Sequence, residues 1–138
     1  YGGYHADMTR TPVVGESTSK HEEIYSIVKE SQQRGCDAAK AGVRCKEVDA
    51  ATRDYIKEMG YGKYYTHGTG HGLGLEIHTS PRFSPQSEQI LKKNNVMTIE
   101  PGIYLGGWGG VRIEDDVIIN KDGCEILNKT TKELVVLD

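Results

Sequence analysis

Residues 111–127 read VRIEDDVIINKDGCEIL, and this stretch decides the predicted fold. Apolar and polar side chains alternate over 111–114, which is typical of a strand with one buried face. Two further β-rich runs, 116–119 and 124–127, flank a glycine-containing turn, so they predict an antiparallel hairpin. Outside the hairpin, two more runs favour strands: 96–99 and 134–137.

Two amphipathic helices are predicted upstream of these strands. Ser19 and Glu22 fit a capping box, and apolar residues follow at helical spacing, which predicts a helix over 19–40. A second apolar face predicts a helix over 46–59, ending at a glycine. We also expect a short helix over 87–93 and an N-terminal hairpin arm over 1–11. This order of elements indicates an α+β fold with a mostly antiparallel sheet.

Composition and charge exclude several classes of protein. The chain has 138 residues, and its 17 Lys and Arg against 20 Asp and Glu give a net charge of −3. No apolar run approaches the roughly 18 residues that a membrane-spanning helix needs. The chain has no cluster of basic residues, so its charge gives no indication of nucleic-acid binding. The three cysteines match no CxxC spacing, which indicates reduced thiols and a cytoplasmic location. The chain does not begin with Met, so we expect a piece of a longer protein.

Four potential metal ligands stand in unusual settings: Asp7, His71, Glu100 and Glu114. His71 is flanked by glycines, and Glu100 precedes a Pro-Gly pair. Glu114 begins a run of three adjacent carboxylates, whose mutual repulsion a cation would relieve. Each residue alone could be a solvated side chain or the start of a turn. Together they indicate a single metal centre.

Other catalytic motifs do not fit the glycine-rich stretch around His71. His67 and His71 are four residues apart, as in the HExxH zinc helix, but Gly68 and the glycines that follow would break a helix. The run Gly70-x-Gly72-x-Gly74 lacks the spacing of a dinucleotide-binding loop. The sequence also has no nucleophile elbow and no phosphate-binding loop of the Walker type.

Four sequence blocks resemble the Xaa-Pro peptidase family, the proline dipeptidase and aminopeptidase P branch of the methionine aminopeptidase-like metallopeptidases. The blocks are GYHADMTRT at 3–11, HGTGHGLGLEIH at 67–78, TIEPGIY at 98–104 and VRIEDD at 111–116. They occur in family order and cover essentially the whole chain. The resemblance implies the pita-bread fold, a half-barrel of antiparallel sheet backed by helices. It also implies that residues 1–138 are the C-terminal portion of a single catalytic domain whose N-terminal part is missing.

The same resemblance assigns roles to individual residues. Asp7, His71, Glu100 and Glu114 become ligands of two divalent metal ions, usually manganese, cobalt or zinc, and Glu100 becomes the proton shuttle. His67 and His78 match histidines that contact substrate and transition state. Arg112 would support the carboxylates, and Tyr104 would line the pocket. The implied substrates are short proline-containing peptides cut between an N-terminal residue and proline, and the implied full-length protein is a homodimer.

Two departures from the family pattern are visible. The family has a fifth ligand, an aspartate on a strand that would precede Tyr1, so only one metal site has its full ligand set here. We therefore expect the chain alone to be poorly stable or to associate through an open strand edge, and the upstream segment to restore activity. Thr79 stands where an acidic residue is common. Three alternatives remain open: a non-catalytic binding module, a methionine aminopeptidase and a metal-free amidinohydrolase.

Overall fold

Two helices and nine short strands appear in the computed structural model, which describes all residues from 1 to 138. The helices are α1 (Ser19–Ala38) and α2 (Cys45–Glu58), followed by a 3-10 turn at Gly62–Tyr64. The strands are β1 (Val13–Val14), β2 (Gly70–Gly72), β3 (Thr79–Phe83), β4 (Val96–Ile99), β5 (Gly102–Leu105), β6 (Gly109–Arg112), β7 (Asp115–Ile119), β8 (Cys124–Ile126) and β9 (Val136–Leu137).

The main sheet has five strands in the order β3-β2-β4-β7-β8, and every neighbouring pair is antiparallel. The predicted hairpin over 116–127 is confirmed as β7 and β8, which pair from Val117 with Ile126 to Ile119 with Cys124. Strands β5 and β6 form a separate antiparallel hairpin, and β1 pairs with β9 in parallel. The predicted α+β class therefore holds.

Both helices lie against the strands through two apolar clusters. One cluster joins the end of α1 and the start of α2 to the main sheet, and the following residues are its largest fully buried members: Phe83, Leu91, Met97, Ile99 and Ile119. The other joins the first half of α1 to the β5–β6 hairpin, centred on Ile24, Ile56, Ile103 and Ile113. Burial of these side chains supplies the main free energy that holds the helices on the sheet.

The start of α1 differs from the prediction by one residue. The N-cap is Thr18, whose side chain accepts from the His21 backbone N–H, while His21 Nδ1 accepts from the Thr18 N–H at 3.1 Å. A histidine imidazole therefore does the work that Glu22 was expected to do, because it reaches back to the N-cap amide equally well.

Two predicted elements are wrong. Residues 87–93 form no helix, because their backbone pairs with the residues before and at the start of α2: Cys45 N–H donates to Gln89 O at 2.8 Å, and Leu91 N–H donates to Val43 O at 2.9 Å. Residues 1–11 form no hairpin arm, since they hold only a turn and an isolated antiparallel bridge between Thr9 and Glu114.

Neither helix has the length and apolar character required to cross a bilayer. All three cysteines are free thiols.

Candidate metal centre

Four distant segments bring the predicted ligands together. Asp7 lies on the N-terminal segment, His71 on β2, Glu100 just after β4, and Glu114 between β6 and β7. The ligand atoms of Asp7, His71 and Glu114 all lie within 4.8 Å of one another. His71 Nε2 is 3.2 Å from Glu100 Oε1 and 3.9 Å from Asp7 Oδ2. The structure thus gathers Asp7, His71 and Glu114 into one cluster, and Glu100 joins it through its contact with His71.

Glycine is required on both sides of His71 because β2 lies very close to the backbone of β3 and β4. A Cβ on Gly70 would lie 2.0 Å from the Thr98 carbonyl oxygen of β4. A Cβ on Gly72 would lie 2.6 Å from the Ser80 carbonyl oxygen of β3. Real Cβ atoms do not approach so closely, so only glycine fits these positions. His71 is consequently the one side chain that β2 carries, and it is delivered into the carboxylate cluster.

Hydrogen bonds fix the direction of the His71 ring. Nδ1 lies 3.0 Å from the carbonyl oxygen of Gly72, which can only accept, so Nδ1 carries the proton. In the neutral ring Nε2 is then the unprotonated nitrogen and faces the carboxylates; only the protonated ring can donate a hydrogen bond from Nε2 to Glu100. Thr98 Oγ1 accepts from the His71 backbone N–H at 3.0 Å and donates to Glu100 Oε1 at 3.0 Å. Thr98 thereby positions both His71 and Glu100, a role that the sequence did not predict.

The ionisation of the cluster shows how strongly negative charge is concentrated there. Burial, together with the charges of Glu100 and Asp7, raises the pKa of Glu114 to about 7, although a hydrogen bond from Thr9 opposes this shift. The hydrogen bond with Glu100 raises the pKa of His71 despite its burial. Burial also raises the pKa of Glu100, but hydrogen bonds from His71 and Thr98 outweigh it and lower that pKa overall.

This arrangement fits a divalent cation. Three carboxylates and one imidazole offer the oxygen and nitrogen donors that manganese, cobalt and zinc accept. Asp116, only 3% exposed, accepts the Asp7 backbone N–H through Oδ2 at 2.9 Å, while its buried Oδ1 has no hydrogen-bond partner. A buried unpaired oxygen near the negative charge of Asp7 is costly, and a nearby positive charge would offset part of that cost.

Of the three adjacent carboxylates, Asp115 lies outside the metal centre. Side chains alternate along an extended segment, so Glu114 and Asp116 share one side and Asp115 faces the other. There, fully buried Asp115 pairs with Arg10 at 2.7 Å and Lys132 at 3.1 Å and also accepts from Gln32 at 3.1 Å. Its charge is neutralised by the protein and needs no metal.

Two arginines hold Glu114 in place. Arg10 Nη1 donates to the carbonyl oxygens of Glu114, at 2.7 Å, and Thr9. Its other nitrogens reach Asp115 and the backbone of Thr130 and Thr131. Arg112 Nε lies 3.9 Å from Glu114 Oε2 and donates to Thr9 Oγ1 at 3.2 Å, and this Thr9 hydroxyl in turn donates to Glu114. The role of Arg10 was not predicted.

The remaining predicted residues lie beside the ligands. His67 Nε2 is 2.7 Å from the Tyr104 hydroxyl, which Arg112 Nη1 approaches at 3.4 Å. The His78 ring packs edge-on against His71, with centroids 4.3 Å apart. A cavity of about 460 Å³ opens here, and its lining includes His67, His71, His78, Arg82, Glu100 and Arg112. Arg82 adds a cation to the cavity that sequence reasoning did not single out.

Comparison with known proteins gives a consistent result. The chain matches the description "Metallopeptidase family M24" over residues 1–121. It is 53% identical over 135 residues to the Xaa-Pro dipeptidase of Pyrococcus furiosus, an alignment that covers 98% of this chain and 39% of that protein.

Solved structures agree with the fold. The Xaa-Pro dipeptidase from Bacillus anthracis superposes with a TM-score of 0.97 at 52% identity, covering 99% of this chain and 39% of the other. The X-Pro aminopeptidase from Thermotoga maritima gives 0.96 at 44% identity, covering 99% and 39%. These likenesses confirm the predicted pita-bread fold. The chain spans about two-fifths of the length of these relatives.

Proposed function

Because this chain belongs to metallopeptidase family M24, we propose that its metal centre hydrolyses the peptide bond between an N-terminal residue and a following proline. One observation carries the proposal. Four ligand side chains from four separate segments converge, with His71 Nε2 turned toward the carboxylates at 3.2 and 3.9 Å. Relatives named as Xaa-Pro dipeptidases support the proline-directed branch over a methionine aminopeptidase.

Asp7, His71, Glu100 and Glu114 would hold divalent cations such as manganese, cobalt or zinc. When bound, such a cation lowers the pKa of a coordinated water and polarises the substrate carbonyl. All four side chains would hold one of two such ions, and the second would need a further carboxylate besides Asp7 and Glu114.

Glu100 is the proposed proton carrier of the reaction. Its Oε1 accepts from the Thr98 hydroxyl, which fixes the carboxylate plane and leaves Oε2 to take a proton from the attacking water. That proton then passes to the proline nitrogen as the peptide bond breaks. His67, His78, Arg82 and Arg112 line the cavity on the same side and supply donors for the peptide carbonyl and carboxylate groups.

The Tyr104 hydroxyl contacts His67 and Arg112, which line the cavity, although Tyr104 was predicted to line the pocket and is not itself a lining residue. We expect Tyr104→Phe to lower kcat/KM roughly 2- to 10-fold, since it removes a hydroxyl worth one or two hydrogen bonds and keeps the ring. Steady-state kinetics on an Xaa-Pro dipeptide would measure the change. Tyr4→Phe, at an exposed tyrosine outside the cavity, is the matched control and should leave kcat/KM unchanged. A rate for Tyr104→Phe equal to the parent rate would remove the hydroxyl from the proposed site.

A chimera tests the proposed function directly. This chain would replace the matching segment of the Pyrococcus furiosus dipeptidase, which supplies the rest of the catalytic protein. We expect cobalt- or manganese-dependent hydrolysis of Ala-Pro, loss of activity with a chelator, and recovery when metal returns. A tripeptide with proline second would show whether longer peptides are accepted.

Two results would contradict the proposal. A folded chimera that binds metal but cleaves Met-Ala and not Ala-Pro would favour a methionine aminopeptidase. Peptide binding without hydrolysis at any metal concentration would favour a binding module. The three free thiols support a reducing, cytoplasmic location, and a homodimeric full-length protein stays a prediction.

A further inference from the structure

We propose that Asp49 and Arg53, an ion pair on α2, are positioning residues that hold the backbone of residues 65–69 and through it set His71 and Glu100. This inference rests on the proposed metal-dependent function and identifies the residues that position the metal ligands. Neither side chain lines the cavity, so both act through the residues they hold.

Asp49 is buried to 1% exposure and saturated with donors. Its Oδ1 accepts from Thr69 Oγ1 at 2.9 Å, from Arg53 Nη2 at 2.9 Å and from Thr69 N–H at 3.1 Å; this N–H also donates to the Phe83 carbonyl oxygen at 2.9 Å. Its Oδ2 accepts from Arg53 Nε at 2.7 Å. Charge-assisted hydrogen bonds of this kind are short and strongly directional. Asp49 therefore fixes both the backbone and the side chain of Thr69.

Arg53 holds the other end of the same segment. Nη1 donates to the Tyr65 carbonyl oxygen at 3.1 Å, and Nη2 donates to the His67 carbonyl oxygen at 2.7 Å. The guanidinium also stacks over the Tyr65 ring, with its carbon 4.2 Å from the centroid. A planar fork can satisfy two carbonyls and a carboxylate together, which a lysine ammonium cannot do in the same geometry.

Thr69 passes this constraint to the metal ligands. It lies two residues from His71, and its carbonyl oxygen accepts the Glu100 backbone N–H at 2.7 Å. Its hydroxyl also lies 2.6 Å from Thr52 Oγ1 and 2.7 Å from the Tyr65 hydroxyl. A continuous set of hydrogen bonds thus joins the α2 pair to the backbone of both ligands.

The chain contains a matched pair that lacks these contacts. Glu30 and Arg34 on α1 have the same i,i+4 spacing, and Arg34 stacks over Tyr55 at 4.0 Å, much as Arg53 stacks over Tyr65. Both side chains are nearly half exposed, and neither lines the cavity. If the Asp49–Arg53 pair only stabilised its helix, the Glu30–Arg34 pair would have the same role, and substitutions in the two pairs would have the same effect.

The test compares Asp49→Asn and Arg53→Lys with the controls Glu30→Gln and Arg34→Lys, all in the chimera with the Pyrococcus furiosus dipeptidase. Asparagine keeps an acceptor for Thr69, and lysine keeps the charge, so both variants should fold. Cobalt titration followed by visible absorption measures affinity and ligand geometry. We expect Asp49→Asn and Arg53→Lys to bind cobalt about 10- to 100-fold more weakly with an altered spectrum, and the controls to bind like the parent.

Amide hydrogen exchange without metal supplies an independent measurement. Exchange at Thr69 and Glu100 should accelerate in both α2 variants, while exchange across the β4–β7 pairing should not. Unchanged exchange at Thr69 and Glu100 would overturn the proposal, and so would an equal acceleration throughout β7, which would indicate a loss of general stability. Cobalt binding equal to the parent would overturn it as well. A parent chimera that takes up no cobalt would contradict the proposed function, and the exchange measurement would still decide the role of the pair.

Discussion

Replacing His71 by alanine is expected to abolish metal-dependent hydrolysis, with a fall in rate of about 10³-fold or more. His71 supplies the only imidazole among the four ligands, and its Nε2 is the atom that faces the carboxylates. Losing a ligand removes cation-derived stabilisation worth several kcal/mol, and each 1.4 kcal/mol or so corresponds to a factor of ten in rate. Hydrolysis of Ala-Pro and cobalt binding, both measured on the chimera, would record the loss.

His5→Ala is the control for this substitution. His5 is an exposed histidine whose ring contacts only the Gly74 carbonyl oxygen, at 3.3 Å. We expect His5→Ala to bind cobalt like the parent. If His71→Ala also retained parental cobalt affinity and parental hydrolysis, the centre would not be the one formed by these four side chains.

Replacing Gly70 by alanine is expected to destabilise the fold by about 3 kcal/mol or more, the upper range for overpacked sites. The new Cβ would meet the Thr98 carbonyl oxygen at 2.0 Å and the Thr98 carbonyl carbon at 2.7 Å. Both atoms belong to the backbone of β4, which is pinned by its pairing with β7. Relief of the clash would therefore separate strands in the middle of the sheet. Urea unfolding followed by circular dichroism would measure the change.

Gly74→Ala provides the comparison for Gly70→Ala. A Cβ at Gly74 would meet nothing within 4 Å, and its φ is not in the left-handed region. Its unfolding free energy should stay within roughly 1 kcal/mol of the parent value. Equal stability of the two variants would show that β2 is not seated against β4 as described.

Local sequence patterns were sufficient for the elements whose contacts are local. The β7–β8 hairpin and both helices follow from residue spacing and turn chemistry. The helix predicted over 87–93 was wrong because the backbone of this segment pairs near residues 43–46, more than 40 positions away. This tertiary pairing overrode the helical spacing of the segment. The hairpin arm predicted over 1–11 was wrong for a related reason. A two-residue turn signal carries no information about which distant strand this segment will pair with.

The candidate site divides in the same way. Its ligands carry recognisable residue types in glycine-rich or acidic settings, so their positions could be predicted. The residues that hold them could not. Asp49 contacts Thr69 across 20 positions and Arg10 contacts Asp115 across 105, and neither has a local signature. The opposite orientation of Asp115 was within reach, because alternation along a strand separates it from Glu114.

The narrow space around β2 also bears on how a mutational library of this region should be interpreted. Selection for activity would remove nearly every substitution at Gly70 and Gly72, as thoroughly as at His71. Equal intolerance would arise from two unrelated causes, lack of room at the glycines and loss of a donor atom at the histidine. Only a screen that scores soluble folded protein separately from turnover would distinguish the glycines, which are needed for packing, from the histidine, which is needed as a donor.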